Sequence, residues 1–277
     1  MVDRVSTGTN RSLDAVQQPC VRDRLERMDL EATGSAAALV DSSRRIVVLT
    51  GAGVSTDSGI PDFRGPDGLW TRDPDAEKYS SITYYLADPE IRRRAWQHRL
   101  TNPAWTATPN PGHDALVDLE RSGRLELLVT QNIDGLHVRA GNDPSGVVEV
   151  HGTIRSARCV SCDWRGPMAD VLDRVRAGEP DPSCEVCGGV VKSATVFFGE
   201  SLDPEDLRRS FDAAARCDLL VCIGTSLQVY PVADMVPTAL RSGARLIIVN
   251  AEVTPYDDAA DVVVRGSISE VLPKLFA

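Results

Sequence analysis

The segment that decides the fold is residues 45–65, which read RIVVLTGAGVSTDSGIPDFRG. Its first six residues form a short, mostly apolar and β-branched run that is typical of a buried strand. Gly51 and Gly53 follow at once, and paired glycines at the carboxyl end of a strand let backbone N–H groups approach a pyrophosphate. The third glycine of the G-x-G-x-x-G pattern is missing, and a polar turn replaces the long helix. The segment therefore indicates a nucleotide site and disfavours a standard dehydrogenase.

Further short apolar runs recur along the chain and alternate with helical stretches. The predicted strands cover residues 45–50, 125–130, 147–150, 218–224, 245–250 and 261–264. The predicted helices cover residues 30–40, 113–121, 204–216 and 232–242. Strands that are apolar on both faces and alternate with helices belong to parallel sheets covered by helices on both sides. We therefore predict a Rossmann-like α/β fold with a mostly parallel sheet.

Two stretches interrupt this alternation and are predicted to be inserts. Residues 66–106 are rich in Arg, Trp, Tyr and Pro and are typical of short helices and loops, whereas residues 152–192 hold two cysteine pairs and almost no strand-like runs. The expected nucleotide-binding domain consists of the remaining stretches, residues 29–65, 107–151 and 193–277. Residues 1–28 are largely polar and have no sustained apolar period, so we expect a flexible leader there.

Composition and charge narrow the class of protein. The 277-residue chain is 42% hydrophobic and contains no apolar run near the roughly 20 residues that a membrane span needs. The first 20 residues lack the apolar core of a signal peptide, so we expect a cytoplasmic protein. A formal net charge of -10 argues against nucleic-acid binding, which depends on clustered Lys and Arg, and it suits a basic partner.

Four of the seven cysteines form two C-x-x-C pairs, Cys159 with Cys162 and Cys184 with Cys187. In a reducing compartment, two such pairs separated by residues 163–183 indicate a metal site rather than disulfides. Four thiolates fill the tetrahedral coordination of Zn²⁺ and leave no position for water, so the predicted zinc is structural. Buried or disulfide-bonded cysteines and a redox motif are the less favoured alternatives. A zinc ribbon alone binds protein or nucleic acid in different proteins, so it does not decide the function.

Polar side chains follow several predicted strands, at the sheet edge where open α/β folds bind ligands. Gln131, Asn132 and Asp134 come directly after the strand 125–130, although Asn and Asp there would also suit a helix cap. His151 follows the strand 147–150, and an ordinary pKa of about 6.5 suits a general base, with a structural histidine as the alternative. Residues suited to phosphate or ribose follow two later strands: Gly224, Thr225, Ser226, Asn250 and Glu252.

Seven blocks of the sequence, taken in order, resemble the signature of the sirtuin family. They are GAGVSTDSGIPDFRG (51–65), TQNIDGLH (130–137), HG (151–152), the two C-x-x-C pairs, FFGE (197–200), GTSLQVYP (224–231) and VNAE (249–252). The resemblance covers residues 30–277. Seven blocks in the same order are far more specific than any one of them.

The resemblance implies an NAD-dependent protein-lysine deacylase that releases nicotinamide and O-acyl-ADP-ribose. NAD would bind between the sheet and the small module. The implied catalytic residues are His151 as general base, with Asn132 and Asp134 at the nicotinamide ribose. The implied NAD contacts are Gly51, Ala52, Gly53, Ser55, Asp62, Phe63, Arg64, Trp70, Gln131, Asn132, Ile133, Asp134, Gly224, Thr225, Ser226, Asn250, Ala251, Glu252 and Ile268. The implied edges for an acyl-lysine peptide are Phe198, Gly199, Glu200, Val229, Tyr230 and Pro231.

The acyl group and the reaction have alternatives. Family members that prefer succinyl- or malonyl-lysine carry Tyr-x-x-Arg in the helical insert, and the comparable positions here are Trp96 and Arg99. Because the Tyr is absent, we expect acetyl-lysine as the substrate and hold bulkier or acidic acyl groups open. ADP-ribosyl transfer or NAD hydrolysis would use the same cleft, and a zinc-ribbon adaptor is the alternative outside enzymes. His151 and the two peptide edges favour deacylation.

Overall fold

A computed structural model describes residues 21–62 and 76–277 of the chain. The strands are β1 (Ile46–Thr50), β2 (Leu125–Thr130), β3 (Val147–Glu149), β4 (Gly152–Cys159), β5 (Arg165–Pro167), β6 (Val191–Thr195), β7 (Leu219–Ile223), β8 (Arg245–Val249) and β9 (Val262–Val264). Six of them form a parallel sheet in the order β3-β2-β1-β7-β8-β9. The strand order reverses between β1 and β7. Open α/β sheets bind ligands beyond the carboxyl ends of the strands at such a point.

Helices of ordinary length connect these strands. They are α1 (Val21–Ser42), α2 (Ala76–Tyr79), α3 (Ile82–Ala87), α4 (Pro89–Leu100), α5 (Pro111–Arg121), α6 (Leu136–Ala140), α7 (Met168–Arg176), α8 (Pro204–Ala214), α9 (Met235–Arg241) and α10 (Ile268–Leu275). Several of these helices begin just after a residue whose side chain accepts hydrogen bonds from the free backbone N–H groups of the first turn. The Asp203 carboxylate, for example, accepts the N–H groups of Glu205 and Asp206 at the start of α8. None of the described helices combines the length and the apolar character needed to cross a membrane.

Apolar side chains of the parallel sheet pack on both faces, as the continuous apolar runs predicted. In β1, Ile46 and Val48 join one core cluster with residues of α1, α5 and α10. Val47 and Leu49 point the other way and join a second cluster with residues of α8 and α9. All five residues of β1 are buried. This alternation confirms the Rossmann-like fold with a doubly covered, parallel sheet.

The cysteines belong to a small antiparallel sheet with the order β5-β4-β6. We call residues 152–195, with α7, the cysteine module. Its core also contains residues of the helical insert, since Trp96 of α4 packs in the same cluster as Cys159 and Met168. The two inserts that the sequence predicted separately therefore share one core. Strand β6 extends to Thr195 and spans the boundary predicted between residues 192 and 193.

All six predicted strands of the main sheet are confirmed, but helix boundaries differ. Helix α1 begins at Val21 instead of residue 30, so residues 21–28 of the expected leader are helical. That stretch is rich in Arg, Glu, Leu and Met, which favour helices. The predicted helix 204–216 ends at Ala214, and the predicted helix 232–242 divides into a 3-10 turn at Val232–Asp234 and α9. Residues 1–20 lie outside the described part of the chain.

Candidate active site

The two glycine turns pack directly against each other where the strand order reverses between β1 and β7. The N–H groups of Gly51 and Gly53 donate to the carbonyl oxygens of Ile223 (3.0 Å) and Gly224 (2.9 Å). A Cβ atom on Gly53 would lie 2.7 Å from the Gly224 Cα atom, and Gly224 has a φ of +60°. Only glycine tolerates both conditions. These two N–H groups, which the sequence assigned to a pyrophosphate, are therefore used inside the protein, and the turns together form a backbone floor.

A buried network joins the turn after β1 to the residues after β2. Asn132 and Asp134 are 6% and 5% exposed. The Asn132 amide donates to the Ser55 hydroxyl oxygen (3.1 Å), and the Ser55 hydroxyl donates to the Asp134 carboxylate (2.8 Å). The other carboxylate oxygen of Asp134 accepts the N–H of Leu136 (2.8 Å) at the start of α6. The Asp134 carboxylate thus binds the start of α6, as the helix-cap alternative predicted, and also holds the network, while its contact with the nicotinamide ribose stays a prediction.

Gln131 connects three strand ends. Its N–H donates to the Thr50 carbonyl oxygen at the end of β1 (2.9 Å). Its side-chain amide donates to the Thr225 hydroxyl oxygen after β7 (2.8 Å). Its carbonyl oxygen lies 2.9 Å from Nδ1 of His151, which follows β3. The positions of all three turns relative to one another therefore depend on this residue.

His151 lies between β3 and β4, and Gly152 turns the chain away from it. A Cβ atom on Gly152, which has a φ of +70°, would lie 2.1 Å from the Ala194 carbonyl oxygen, so no other residue fits. Because the Gln131 carbonyl oxygen only accepts, Nδ1 carries the hydrogen and Nε2 keeps its lone pair. Burial lowers the pKa of His151, and the hydrogen bond to Gln131 offsets part of that effect. A neutral imidazole with its Nε2 lone pair is the form that a general base needs.

A row of buried hydroxyls lies behind Asn132, and the sequence reasoning missed it. The Thr50 hydroxyl donates to the Thr130 oxygen (2.8 Å), which accepts the backbone N–H of Asn132 (3.0 Å). His137 Nε2 lies 3.0 Å from the same Thr50 oxygen and is the donor, since the Thr50 hydrogen is already used. Burial, with a smaller effect of His113, lowers the pKa of His137 well below its ordinary value. The available signal was the threonine that ends both β1 and β2.

The residues after β8 lie further along the same edge of the sheet. The Asn250 side-chain amide donates to the Glu252 carbonyl oxygen (2.8 Å), and the backbone carbonyl oxygen of Asn250 accepts from the Arg265 guanidinium (2.7 Å). Ala251 and Glu252 are exposed to solvent. Ile268 is 8% exposed and packs in the core, so only its backbone is available to a cofactor.

The remaining implied NAD contacts divide by their place in the structure. Phe63, Arg64 and Trp70 lie outside the described residues. The half-buried contacts are Ala52, Asp62, Ile133 and Ser226. Ala52 begins the 3-10 helix Ala52–Ser58, and Asp62 ends the first described segment.

The four cysteines converge in the cysteine module. Their Sγ atoms all lie within 4.8 Å of one another, with 3.5 Å between Cys159 and Cys187 and 3.7 Å between Cys162 and Cys184. Zn–S bonds of about 2.3 Å in a tetrahedron place the sulfur atoms about 3.8 Å apart, whereas a disulfide needs about 2 Å. A Cβ atom on Gly189 would lie 3.0 Å from the Cys159 Sγ atom, so glycine makes room for the cluster. The residues fit one structural zinc ion.

Residues 198–200 form one of the two implied peptide edges, and the acidic side chain of this edge, Glu200, points inward. The Glu200 carboxylate accepts hydrogen bonds from the Lys192 ammonium (2.8 Å), Arg158 (2.5 Å) and the Phe197 N–H (2.8 Å). The Lys192 side chain is 0% exposed. Glu200 is therefore committed to the protein, and only its backbone is available to a peptide.

Phe198 and Gly199 are the exposed residues of this edge, and Phe198 supplies its exposed side chain. The Phe198 N–H donates to the Ser80 carbonyl oxygen (2.8 Å), and the Phe198 carbonyl oxygen accepts the Ile82 N–H (3.0 Å). The resemblance implies that the peptide inserts between the two edges as an added strand, but these bonds already use the backbone N–H and carbonyl groups of Phe198 that such a strand would need. The side chains of Phe198 and, on the other edge, Tyr230 are 44% and 60% exposed. The other residues of the two edges are Gly199 and Val229, which is half-buried, and Pro231, which is exposed.

Comparison with known proteins identifies the family. Residues 51–231 match the Sir2 family. The chain belongs to the Sir2 family. It is 54% identical over 230 residues to NAD-dependent protein deacetylase 2 of Streptomyces coelicolor, and the match covers 83% of this chain and 95% of that relative.

Solved Sir2 structures share the fold. A Sir2 variant with a deacetylated p53 peptide and 3'-O-acetyl ADP ribose matches with a TM-score of 0.81 at 35% identity, covering 88% of this chain and 96% of that chain. A complex of Sir2 with a p53 peptide and NAD+ matches with a TM-score of 0.77 at 35% identity, covering 86% and 94% of the two chains.

Within this Sir2 fold, most of the predicted catalytic and ribose-binding residues come together. The hydrogen bonds and backbone contacts above join Gly51, Gly53, Ser55, Gln131, Asn132, Asp134, His151, Gly224 and Thr225. The strand ends that carry them are far apart in the sequence. Their arrangement therefore results from the parallel sheet.

Trp96 and Arg99 are the two positions compared with the Tyr-x-x-Arg pattern. Trp96 packs in the core of the cysteine module, and Arg99 lies beside it. Trp96 is 0% exposed and offers no hydroxyl group. The Arg99 guanidinium lies 4.8 Å from the Trp96 ring, 5.3 Å from Tyr85 and 5.8 Å from Phe197. Among the described residues, one Arg99 Nη atom is buried without a hydrogen-bond partner. Aromatic rings therefore surround this arginine beside segment 197–200.

Proposed function

We propose that this chain removes acyl groups, acetyl first among them, from protein lysines with NAD as co-substrate. The products are the free lysine, nicotinamide and O-acyl-ADP-ribose. The observation that carries the proposal is the neutral His151 imidazole, fixed at Nδ1 by Gln131 and adjacent in the fold to the buried Ser55–Asn132–Asp134 network. The relative named a deacetylase and the Sir2 complex with an acetylated ADP ribose support the same reaction.

The residues of the chain supply binding, orientation and a base. The backbone floor formed by the two glycine turns holds the chain after β1 against the chain after β7. A dinucleotide can bind over this floor, at the carboxyl ends of the two strands between which the strand order reverses. Asn132 and Asp134 are held by buried hydrogen bonds, so they face the nicotinamide ribose without reorganising. The acyl-lysine carbonyl oxygen attacks the ribose carbon as nicotinamide leaves. His151 Nε2 then accepts a proton from a neighbouring ribose hydroxyl, whose oxygen bonds to the acyl carbon, and the bond from that carbon to the lysine nitrogen breaks and releases the free amine. Water adds to the same carbon, whose bond to the original carbonyl oxygen breaks, so the acyl group remains as an ester on the ribose hydroxyl of ADP-ribose.

The zinc ion has a structural role in this proposal. Four thiolates complete its coordination, so it offers no position for water or substrate. It holds Cys159, at the end of β4, next to Cys184 and Cys187 on the segment before β6. The metal would thereby stabilise the cysteine module, whose last strand, β6, leads directly into the peptide edge at residues 198–200.

Acetyl-lysine is the proposed substrate because the pattern for acidic acyl groups is incomplete. Trp96 replaces the Tyr, so the hydroxyl group of that pattern is absent, and the buried Trp96 Nε1 has no hydrogen-bond partner among the described residues. Arg99 is retained, and its buried Nη atom is the group that an acidic acyl chain would use. Comparing acetyl- and succinyl-peptides with wild type and Arg99→Met decides between them, since only succinyl removal should depend on the guanidinium.

Partners and location follow from charge and cysteine chemistry. The net charge of -10 favours basic, lysine-bearing protein segments and disfavours nucleic acid. Exposed Phe198 and Tyr230 side chains offer apolar contacts to the peptide on either side of its lysine. Free thiols at the four metal positions and at buried Cys217 and Cys222 suit a reducing compartment, and we place the protein in the cytoplasm.

The experiment compares wild type with His151→Ala and His98→Ala on an acetyl-lysine peptide, with and without NAD, by mass spectrometry. His98 is the matched control because it lies on α4, exposed and stacked on Tyr79. We expect NAD-dependent loss of acetyl in wild type and His98→Ala. Loss of a general base should slow His151→Ala about 10²- to 10⁴-fold. Consumption of NAD with the acetyl group retained would support NAD hydrolysis or ADP-ribosyl transfer instead.

A further inference from the structure

Strand β4 contains an irregularity beside the candidate NAD site. Its pairing with β6 is regular at Thr153 with Ala194 and again at Ala157 with Ser193, so residues 154–156 form a bulge that has no partner residue in β6. Bulges bend a strand and re-aim side chains, and they occur often next to active sites. The bulge here begins two residues after Gly152, which follows His151.

Residues of the bulge form hydrogen bonds with the loop that carries Asn132 and Asp134. We call residues 131–135 the NAD loop. The Ile154 N–H donates to the Ile133 carbonyl oxygen (3.0 Å). The Arg155 guanidinium donates from Nε (3.1 Å) and from Nη2 (2.9 Å) to the Asp134 carbonyl oxygen. Backbone and side chain of the bulge therefore hold two successive carbonyl groups of the NAD loop.

Arg155 also reaches the helical insert. Its Nη2 donates to the Ala104 carbonyl oxygen (2.9 Å), and its guanidinium lies 5.2 Å from the Trp105 ring. From the other side, Arg139 of α6 donates to the Ala107 carbonyl oxygen (2.7 Å). The chain at the end of the helical insert is thus hydrogen-bonded to Arg155, which holds the NAD loop, and to Arg139 of α6, the helix that follows the NAD loop.

The NAD loop also lies in van der Waals contact with the Arg155 side chain. Gly135 has a φ of +71°, and a Cβ atom there would lie 3.6 Å from the Cγ and Nε atoms of Arg155. The Asp134 side chain is already held by Ser55 and by the N–H of Leu136. Arg155 holds the remaining part of that residue, its carbonyl group. A planar guanidinium binds two carbonyls in fixed directions, which a lysine ammonium on a flexible stem does not.

We propose that Arg155 is a positioning residue that fixes the NAD loop by tying it to the cysteine module and to the helical insert. This inference rests on NAD binding in the proposed function. Through β4, whose last residue is Cys159, the position of the module is transmitted to the residues that face the nicotinamide ribose. No block of the sirtuin signature contains Arg155.

The test uses the full-length, zinc-loaded protein and the variants Arg155→Gln and Arg155→Lys. Arg165→Gln is the matched control, since Arg165 is an exposed arginine on the neighbouring strand β5. We measure the dissociation constant of NAD by calorimetry, KM for NAD and for an acetyl peptide, zinc content and Tm. A displacement of about 1 Å near reacting groups costs up to about 10²-fold.

We expect Arg155→Gln to weaken NAD binding and raise KM for NAD tenfold or more, with KM for the peptide and zinc content unchanged. Arg155→Lys should recover part of the affinity, and Arg165→Gln should match wild type. A role in stability alone would lower Tm and leave both KM values unchanged, which would overturn the proposal. If Arg155→Gln does not fold, Arg155→Lys with wild-type NAD affinity is the result that overturns it. Failure of wild type to bind NAD would refute the proposed function as well.

Discussion

Replacing Gly53 with alanine tests the contact between the two glycine turns. A Cβ atom at this position would lie 2.7 Å from the Gly224 Cα atom and 3.0 Å from the Gly224 carbonyl oxygen. Carbon atoms in contact prefer separations of about 3.5–4.0 Å, so one turn must move by about 1 Å. Both neighbouring atoms belong to the backbone, and no side chain can rotate away. The strain therefore reaches the backbone floor of the candidate NAD site.

The displacement has a cost in stability and a cost in activity. Overpacking of this kind lowers the free energy of unfolding by about 1–3 kcal/mol, which corresponds to a decrease in Tm of about 2–12 °C for a chain of this size. A shift of about 1 Å in a positioned site reduces the rate up to about 10²-fold. We expect kcat/KM for NAD to fall between tenfold and a hundredfold in Gly53→Ala.

The assay measures initial rates at varied NAD and saturating acetyl peptide, at a temperature well below Tm. Gly34→Ala is the control, because Gly34 lies in α1 and a Cβ atom there meets nothing within 4 Å. Alanine favours a helix over glycine by about 1 kcal/mol, so this control should raise Tm without changing kcat/KM. If Gly53→Ala keeps both kcat/KM and Tm within error of wild type, the contact between the turns does not matter as argued.

Three further outcomes follow from the site and its surroundings. Ser55→Ala removes the hydroxyl that binds both Asn132 and Asp134, and a hydrogen bond to a charged group contributes about 1.5–3 kcal/mol of free energy. Because this hydroxyl holds both side chains in place, kcat/KM for NAD should fall at least tenfold. A wild-type kcat/KM would show that the site does not depend on the network. Burial is the main cause that raises the pKa of the Glu149 carboxyl to about 7, and the nearby Asp134 carboxylate adds to the effect. The folded protein therefore keeps the carboxyl proton at pH values where the unfolded chain, with a pKa near 4.5, has already released it. The Tm of Glu149→Gln minus that of wild type should therefore grow from pH 5 to pH 8, and a constant difference would refute that assignment. Removing zinc with a chelator should lower Tm by more than about 10 °C in circular-dichroism melts, and unchanged melting would show that the cysteines need no metal.

The sequence was sufficient for the parallel sheet and for the cysteine cluster, for clear physical reasons. Continuous apolar runs such as IVVLT and LLVCI are strands buried on both faces, and their boundaries were predicted to within one or two residues. The spacing of Cys159, Cys162, Cys184 and Cys187 identified thiols that meet within 4.8 Å. Both are local patterns that a chain shows without knowledge of its tertiary contacts.

Contacts between distant segments could not be predicted. Nothing near Gly53 indicates that Gly224 lies against it, so the use of its N–H group inside the protein was missed. Trp96 lies in an arginine-rich helix, and its place in the core of the cysteine module depends on how the two inserts meet. Glu200 belongs to a recognised block, yet its inward orientation depends on Lys192 and Arg158. Each of these features is set by packing across the fold.

The most direct test of deacylation by acyl transfer is the quantification of all products from one wild-type reaction by liquid chromatography and mass spectrometry. The substrates are NAD and an acetyl-lysine peptide. Deacylation by acyl transfer predicts equal molar amounts of deacetylated peptide, nicotinamide and O-acetyl-ADP-ribose at every early time point. Nicotinamide and ADP-ribose formed without loss of acetyl, or free acetate released without consumption of NAD, would contradict it.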